Sequence, residues 1–77
     1  MDYKELGLFI RQERKARKLN QKTFSEMAGI SERSLRSIEQ GDQTHINTLR
    51  KVMSIFDYDL EMETIITLKL SNGKKIT

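Results

Sequence analysis

Six basic side chains crowd one stretch of the chain: Arg11, Arg14, Lys15, Arg17, Lys18 and Lys22, opposed there only by Glu13. Farther on, Glu32, Arg33, Arg36 and Ser37 surround two apolar residues, Leu35 and Ile38, placed three apart. Ammonium and guanidinium groups at this density suit phosphate oxygens, and an arginine fork matches the paired acceptors on the edge of guanine. The chemistry this allows is recognition of a polyanion. The plainer reading of the same run is a solvated surface. Asp57, Asp59, Glu61 and Glu63 form an opposite cluster, so one end can meet phosphates and the other repels them.

Other chemistries lack their residues. With no cysteine there is no disulfide, thiolate metal site or cysteine nucleophile. His45 is the sole histidine, so one chain cannot build a histidine-rich metal site, and none of the glycines forms a phosphate-cradling loop. We therefore expect no enzyme, no metal and no cofactor. The formal charge, +3 from 14 Lys+Arg against 11 Asp+Glu, is too mild to name a partner by itself. No apolar run approaches the ~18–20 residues of a membrane span. The start, MDYKELG, is polar and unlike a signal peptide, and we expect a cytoplasmic location with no membrane partner.

Seventy-seven residues make one small core, and dimerisation is an expected aid to its stability. The elements that position the charged sets follow from periodicity. Tyr3 to Lys18 predicts a first helix, with Leu6, Phe9, Ile10 and Glu13 recurring at three and four. Asn20 predicts the N-cap of a second, Gln21–Ala28, whose inner face would be Phe24, Met27 and Ala28. Gly29 ends it in the left-handed conformation. Ser31 caps a third helix held by Leu35 and Ile38 and closed by Gly41, with Glu32 in the first turn where the helix dipole favours it. Ile46–Phe56 predicts a fourth, with the stripe Ile46, Leu49, Val52, Met53 and Phe56 as ordinary core.

Two short helices around a tight turn, Gln21–Ala28 and Ser31–Gln40, form a helix-turn-helix unit. Ser25 and Ala28 are small enough to let the helices cross closely. Leu35 and Ile38 pin the second helix and leave Glu32, Arg33, Arg36 and Ser37 facing outward, on an element of the width the DNA major groove admits.

The ordered set Leu6-Gly7, Ile10-Arg11, Arg14-Lys15, Leu19-Asn20-Gln21, Gly29-Ile30-Ser31 and Ile38-Glu39-Gln40-Gly41 resembles the Cro/cI-type repressor family over residues 3–58. Phe24 and Ser25 stand where that family usually has leucine and alanine, and the loop before helix four lacks its common proline. The resemblance implies a mainly α, lambda-repressor-like bundle of four to five short helices with a C-terminal β-strand or hairpin. It implies sequence-specific binding of double-stranded DNA and transcriptional repression. By the same resemblance Gln21 opens the second helix and holds a phosphate, Glu32, Arg33 and Ser37 meet bases, and Gln40 touches the backbone. Arg14 pairs with Glu39 and leans toward phosphate. The expected DNA-binding set is Arg14, Lys15, Gln21, Lys22, Ser31, Glu32, Arg33, Arg36, Ser37 and Gln40.

From Tyr58 to Leu70 the pattern alternates with period two, the strand signal, and Asn72-Gly73 is a hairpin signal with only Lys74–Thr77 left to return. We expect a domain at 1–57 and a β segment at 58–77 that joins two chains through Leu60, Met62, Thr64, Ile66 and Leu68, the alternatives being a local hairpin folded back on helix four or a disordered tail. Such a homodimer suits a palindromic operator. The segment Lys51–Met62 followed by a strand is similar to HipB-like antitoxins, which implies repression of the chain's own operon and neutralisation of a kinase-like toxin. A stand-alone phage or bacterial repressor, or a protein-binding module that kept the fold, are the alternatives.

Overall fold

The computed structural model describes residues 1–62 and 66–70. Four helices, α1 (Tyr3–Ala16), α2 (Gln21–Ala28), α3 (Glu32–Glu39) and α4 (Ile46–Ser54), precede two strands, β1 (Tyr58–Met62) and β2 (Ile66–Leu70). The family-based expectation of a small helical bundle ending in β structure describes this architecture.

Local chemistry sets the helix limits. α1 starts on a capping box: Asp2 accepts from the Glu5 amide at 2.8 Å, and the Glu5 carboxylate accepts from the Asp2 amide at 3.3 Å. Asn20 caps α2 through the Thr23 amide, and Ser31 caps α3 through the Ser34 amide. α2 and α3 end alike. After α2 the amides of Gly29 and Ile30 turn back to the carbonyls of Glu26 and Ser25; after α3 those of Gly41 and Asp42 turn back to Ile38 and Ser37. Gly29 has φ 72° and Gly41 φ 91°, the left-handed turn such endings require.

α1 ends the same way, at Ala16 rather than at the expected Lys18. The amides of Lys18 and Leu19 return to Lys15 and Arg14, and Lys18 itself takes φ 57°. A lysine in a glycine's conformation carries no sequence signal, which is why the periodic pattern overruns the true end.

The core comprises Leu6, Ile10, Phe24, Ala28, Leu35, Ile38, Leu49, Val52, Met53, Phe56 and Leu60. Phe24 stacks on Phe56, centroids 5.3 Å apart, so the stripe assigned to the fourth helix reaches the core although α4 ends at Ser54. Met27 departs from expectation: it is 55 % exposed. At 100° per residue, Phe24, Ser25 and Ala28 cover an arc centred roughly 110° from Met27, so Ser25 is the third inner residue.

Gly7 lets α1 and α3 touch. A Cβ built there would lie 2.3 Å from the Ile38 carbonyl oxygen, a backbone atom with no freedom to move away. Gly7→Ala should therefore lower stability by about 1–3 kcal/mol in a thermal or urea melt, although alanine is the better helix former. Unchanged stability would mean that the two helices separate without loss.

The C-terminal segment is two strands, not one. β1 and β2 pair antiparallel within the chain, with Leu60 opposite Leu68 and Met62 opposite Ile66. Between the strands, Glu63-Thr64-Ile65 contains no glycine, proline or asparagine, so the uniform alternation gives no sign that the pattern divides into two antiparallel strands. Thr64 and the Asn72-Gly73 turn lie outside the described residues. Leu60 is 2 % exposed in the core, and the ring of Tyr58 lies 5.5 Å from that of Phe9. The core thus extends past residue 57 to Leu60.

Candidate nucleic-acid interface

Leu35 and Ile38 seal one side of α3 into the core, so the remaining turns project Arg33, Arg36, Ser37 and Gln40 outward. Arg33, Arg36 and Gln40 are exposed, and Glu32 and Ser37 half-exposed. Glu32 reaches Arg36 one turn away at 3.4 Å. Ser37 donates its hydroxyl to the Asp42 carboxylate at 2.7 Å. Among the described residues Arg33 has no ion-pair partner. Ser31 is occupied as the α3 cap, its oxygen accepting from the Ser34 amide at 3.0 Å and its hydroxyl meeting that of Ser34 at 2.8 Å.

Beside α3 an open hollow is lined by Arg11, Asn20, Gln21, Arg36, Glu39 and Gln40. The start of α2 and the end of α3 meet there, and the amides at the α2 N-terminus give that end positive polarity. Gln21 is half-buried and donates to Glu39 at 3.2 Å, which fixes its side chain at the rim. Lys22 is fully at the surface one residue on.

Arg14 is the buried member of the basic cluster, 6 % exposed. It donates from Nε and Nη2 to the two Glu39 oxygens at 2.7 and 3.0 Å, and from Nη1 to the Leu19 carbonyl at 2.7 Å. All three nitrogens have protein partners. Its pKa is raised by the hydrogen bonds to Glu39, against desolvation, with the ion-pair attraction adding to the rise. These bonds tie α1 to α3 and, through Glu39, to Gln21, and Arg14 also lines the hollow.

The rest of the basic cluster disperses. Arg17 pairs with Glu13 and lies over the Phe56 ring, 4.5 Å from its centroid, so its charge serves packing. Lys15 is exposed. Arg11, left out of the expected set, lines the hollow with Gln21 and Gln40. Helical spacing carries a signal for it: Gly7, Arg11 and Arg14 share a face, and Gly7 and Arg14 both abut α3.

Among the described residues there is no cluster of three or more metal-ligating side chains, and no helix is long and apolar enough to cross a membrane. A family model described as helix-turn-helix matches residues 10–62, most of the chain and all of α2, α3 and α4. No curated protein matches it. The two-helix unit with its outward basic face and the span of that match lead to one assignment: this chain belongs to the Cro/cI-type helix-turn-helix family of DNA-binding transcriptional regulators.

Proposed function

We propose that the chain is a repressor that reads a palindromic operator with α3. Arg33, Glu32, Arg36 and Ser37 meet base edges, while Gln21, Lys22, Gln40, Lys15 and Arg11 hold phosphates. The observation that carries this is the pairing pattern on α3. Arg33 is exposed and without an ion-pair partner among the described residues, on the side opposite Leu35 and Ile38, while its acidic neighbour Glu32 is held by Arg36. A free guanidinium presents its fork to guanine O6 and N7. Arg33→Ala should weaken a selected site by about 1–3 kcal/mol and relax preference at one base pair. Lys22→Ala should weaken all sequences alike and shallow the salt slope. Intact specific binding by Arg33→Ala would misplace the reading helix.

The active species in this proposal is a homodimer. Among the described residues β1 pairs only with β2, and a sheet of two strands is marginal in water and carries open edges. A second copy adding its hairpin edge to edge yields a two-fold contact that spaces two α3 helices for a palindrome. A hairpin directly after α4 also suits the HipB-like antitoxin role, with repression of the chain's own operon and capture of a kinase-like toxin. That role requires the product of the adjoining reading frame to be toxic alone and harmless when co-expressed with this chain. A harmless product leaves the stand-alone repressor.

A further inference from the structure

Ser37 and Asp42 are joined twice. The Asp42 amide donates to the Ser37 carbonyl at 3.1 Å, part of the turn that Gly41 makes at φ 91°, and the Ser37 hydroxyl donates to the Asp42 carboxylate at 2.7 Å. The first bond belongs to the end of α3 and sets where Asp42 stands. The second fixes the direction of the hydroxyl. A carboxylate only accepts, so the single proton of Ser37 is committed to it, and the serine oxygen keeps only lone pairs for anything else.

We infer that Asp42 is a specificity-determining residue that acts through Ser37: it makes this position of the reading helix an acceptor, so that it takes adenine or cytosine and refuses guanine and thymine. The inference rests on α3 being the reading helix. In the major groove adenine and cytosine present an amino group where guanine and thymine present a carbonyl oxygen. An acceptor-only serine backed by a carboxylate gains a hydrogen bond from the amino bases and is repelled by the carbonyl bases. A free serine, able to rotate its proton either way, tolerates both. Arg33 lies one turn before Ser37 on the same face and is a pure donor. The two positions therefore have opposite polarity, the arginine seeking acceptors and the Ser37–Asp42 unit seeking a donor.

The test is selection of binding sites from a random duplex pool by the full chain and by Arg33→Ala, Ser37→Ala, Asp42→Ala and Asp42→Asn. Asp42 is exposed, so its variants should melt with the parent chain. The base pair whose preference Ser37→Ala abolishes is the one Ser37 meets. There the parent chain should favour the pairs that place an amino group at one point of the major groove over those that place a carbonyl oxygen there, by about tenfold. Asp42→Ala should bring that ratio close to one while leaving the Arg33 position unchanged, and Asp42→Asn, which can also donate, should fall between. Removing a negative charge should raise affinity for all sequences together, which the ratio does not register. An unchanged preference in Asp42→Ala, or no pair sensitive to Ser37→Ala, would each overturn the inference while the Arg33 result keeps the reading helix in place. A pool without preference at any position, Arg33 included, would overturn the reading helix and this inference with it.

Discussion

Arg14→Ala should bring the domain close to unfolding at room temperature, losing about 3–5 kcal/mol. A chain of this length has about 4–12 kcal/mol in all. The loss arises mainly from what is left behind. The Glu39 side chain is 4 % exposed and would keep only Gln21, at 3.2 Å, as a donor. The Leu19 carbonyl would also lose its partner. Replacing both residues, as Arg14→Met with Glu39→Leu, removes the buried charge with its partner and should recover most of the loss. The resulting coupling energy, from a double-mutant cycle of denaturant midpoints, should exceed about 1 kcal/mol. Additive single-site losses would show the pair to be incidental. The pair has no titration of its Arg14 end near neutrality. A folded-state pKa raised above the ordinary value leaves that end fully contributing at every lower pH, and loses it only as strongly alkaline pH passes the raised value.

The double variant also separates stability from recognition. It should stay folded while freeing Gln21, whose amide is oriented by Glu39 at the rim of the hollow. Binding to all sequences should then weaken together, with base preference unchanged, because the phosphate contact proposed for Gln21 is loosened and the outward side of α3 is not.

The parts of this architecture that the sequence reveals are those with their own local chemistry. α2 and α3 are legible because Asn20, Ser31, Gly29 and Gly41 each have one physical use at a helix end. The outward face of α3 is legible because Leu35 and Ile38 leave no other orientation. What sequence leaves hidden depends on partners distant in the chain or on residues in unusual conformations. Lys18 adopts a glycine's dihedral angle, Met27 lies just outside an arc that Ser25 completes, and nothing in Glu63-Thr64-Ile65 marks the division into two strands. Asp42 reads as a loop residue until the turn at Gly41 brings it to Ser37. Arg11 acquires meaning only when α1 is set against α3.

Removing the C-terminal segment after Phe56 should unfold the helical domain as well as abolish any dimer. The charged strand residues suggest a dispensable appendage, but Leu60 is as buried as Ile38. Loss of its side chain alone should cost about 2–5 kcal/mol. Loss of Tyr58 from Phe9 adds about 0.5–1.5 kcal/mol beyond the area it covers. Together these approach the whole stability of a small domain. Ending the chain after Met62 instead retains Tyr58 and Leu60 and removes only the β2 half of the sheet. That product should keep a cooperative melt and its helical circular dichroism, yet sediment as a monomer at micromolar concentration where, on the proposed homodimer, the full chain should sediment as a dimer. Its affinity for a palindrome should fall toward that for a single half-site, since two tethered reading helices bind far more tightly than one. The two truncations would thus divide the segment by function: the first strand completes the core, and the second, on the homodimer proposal, supplies what pairing needs. A folded product of the first truncation would remove Leu60 from the core argument. A dimer after the second would place the two-fold contact somewhere other than the hairpin.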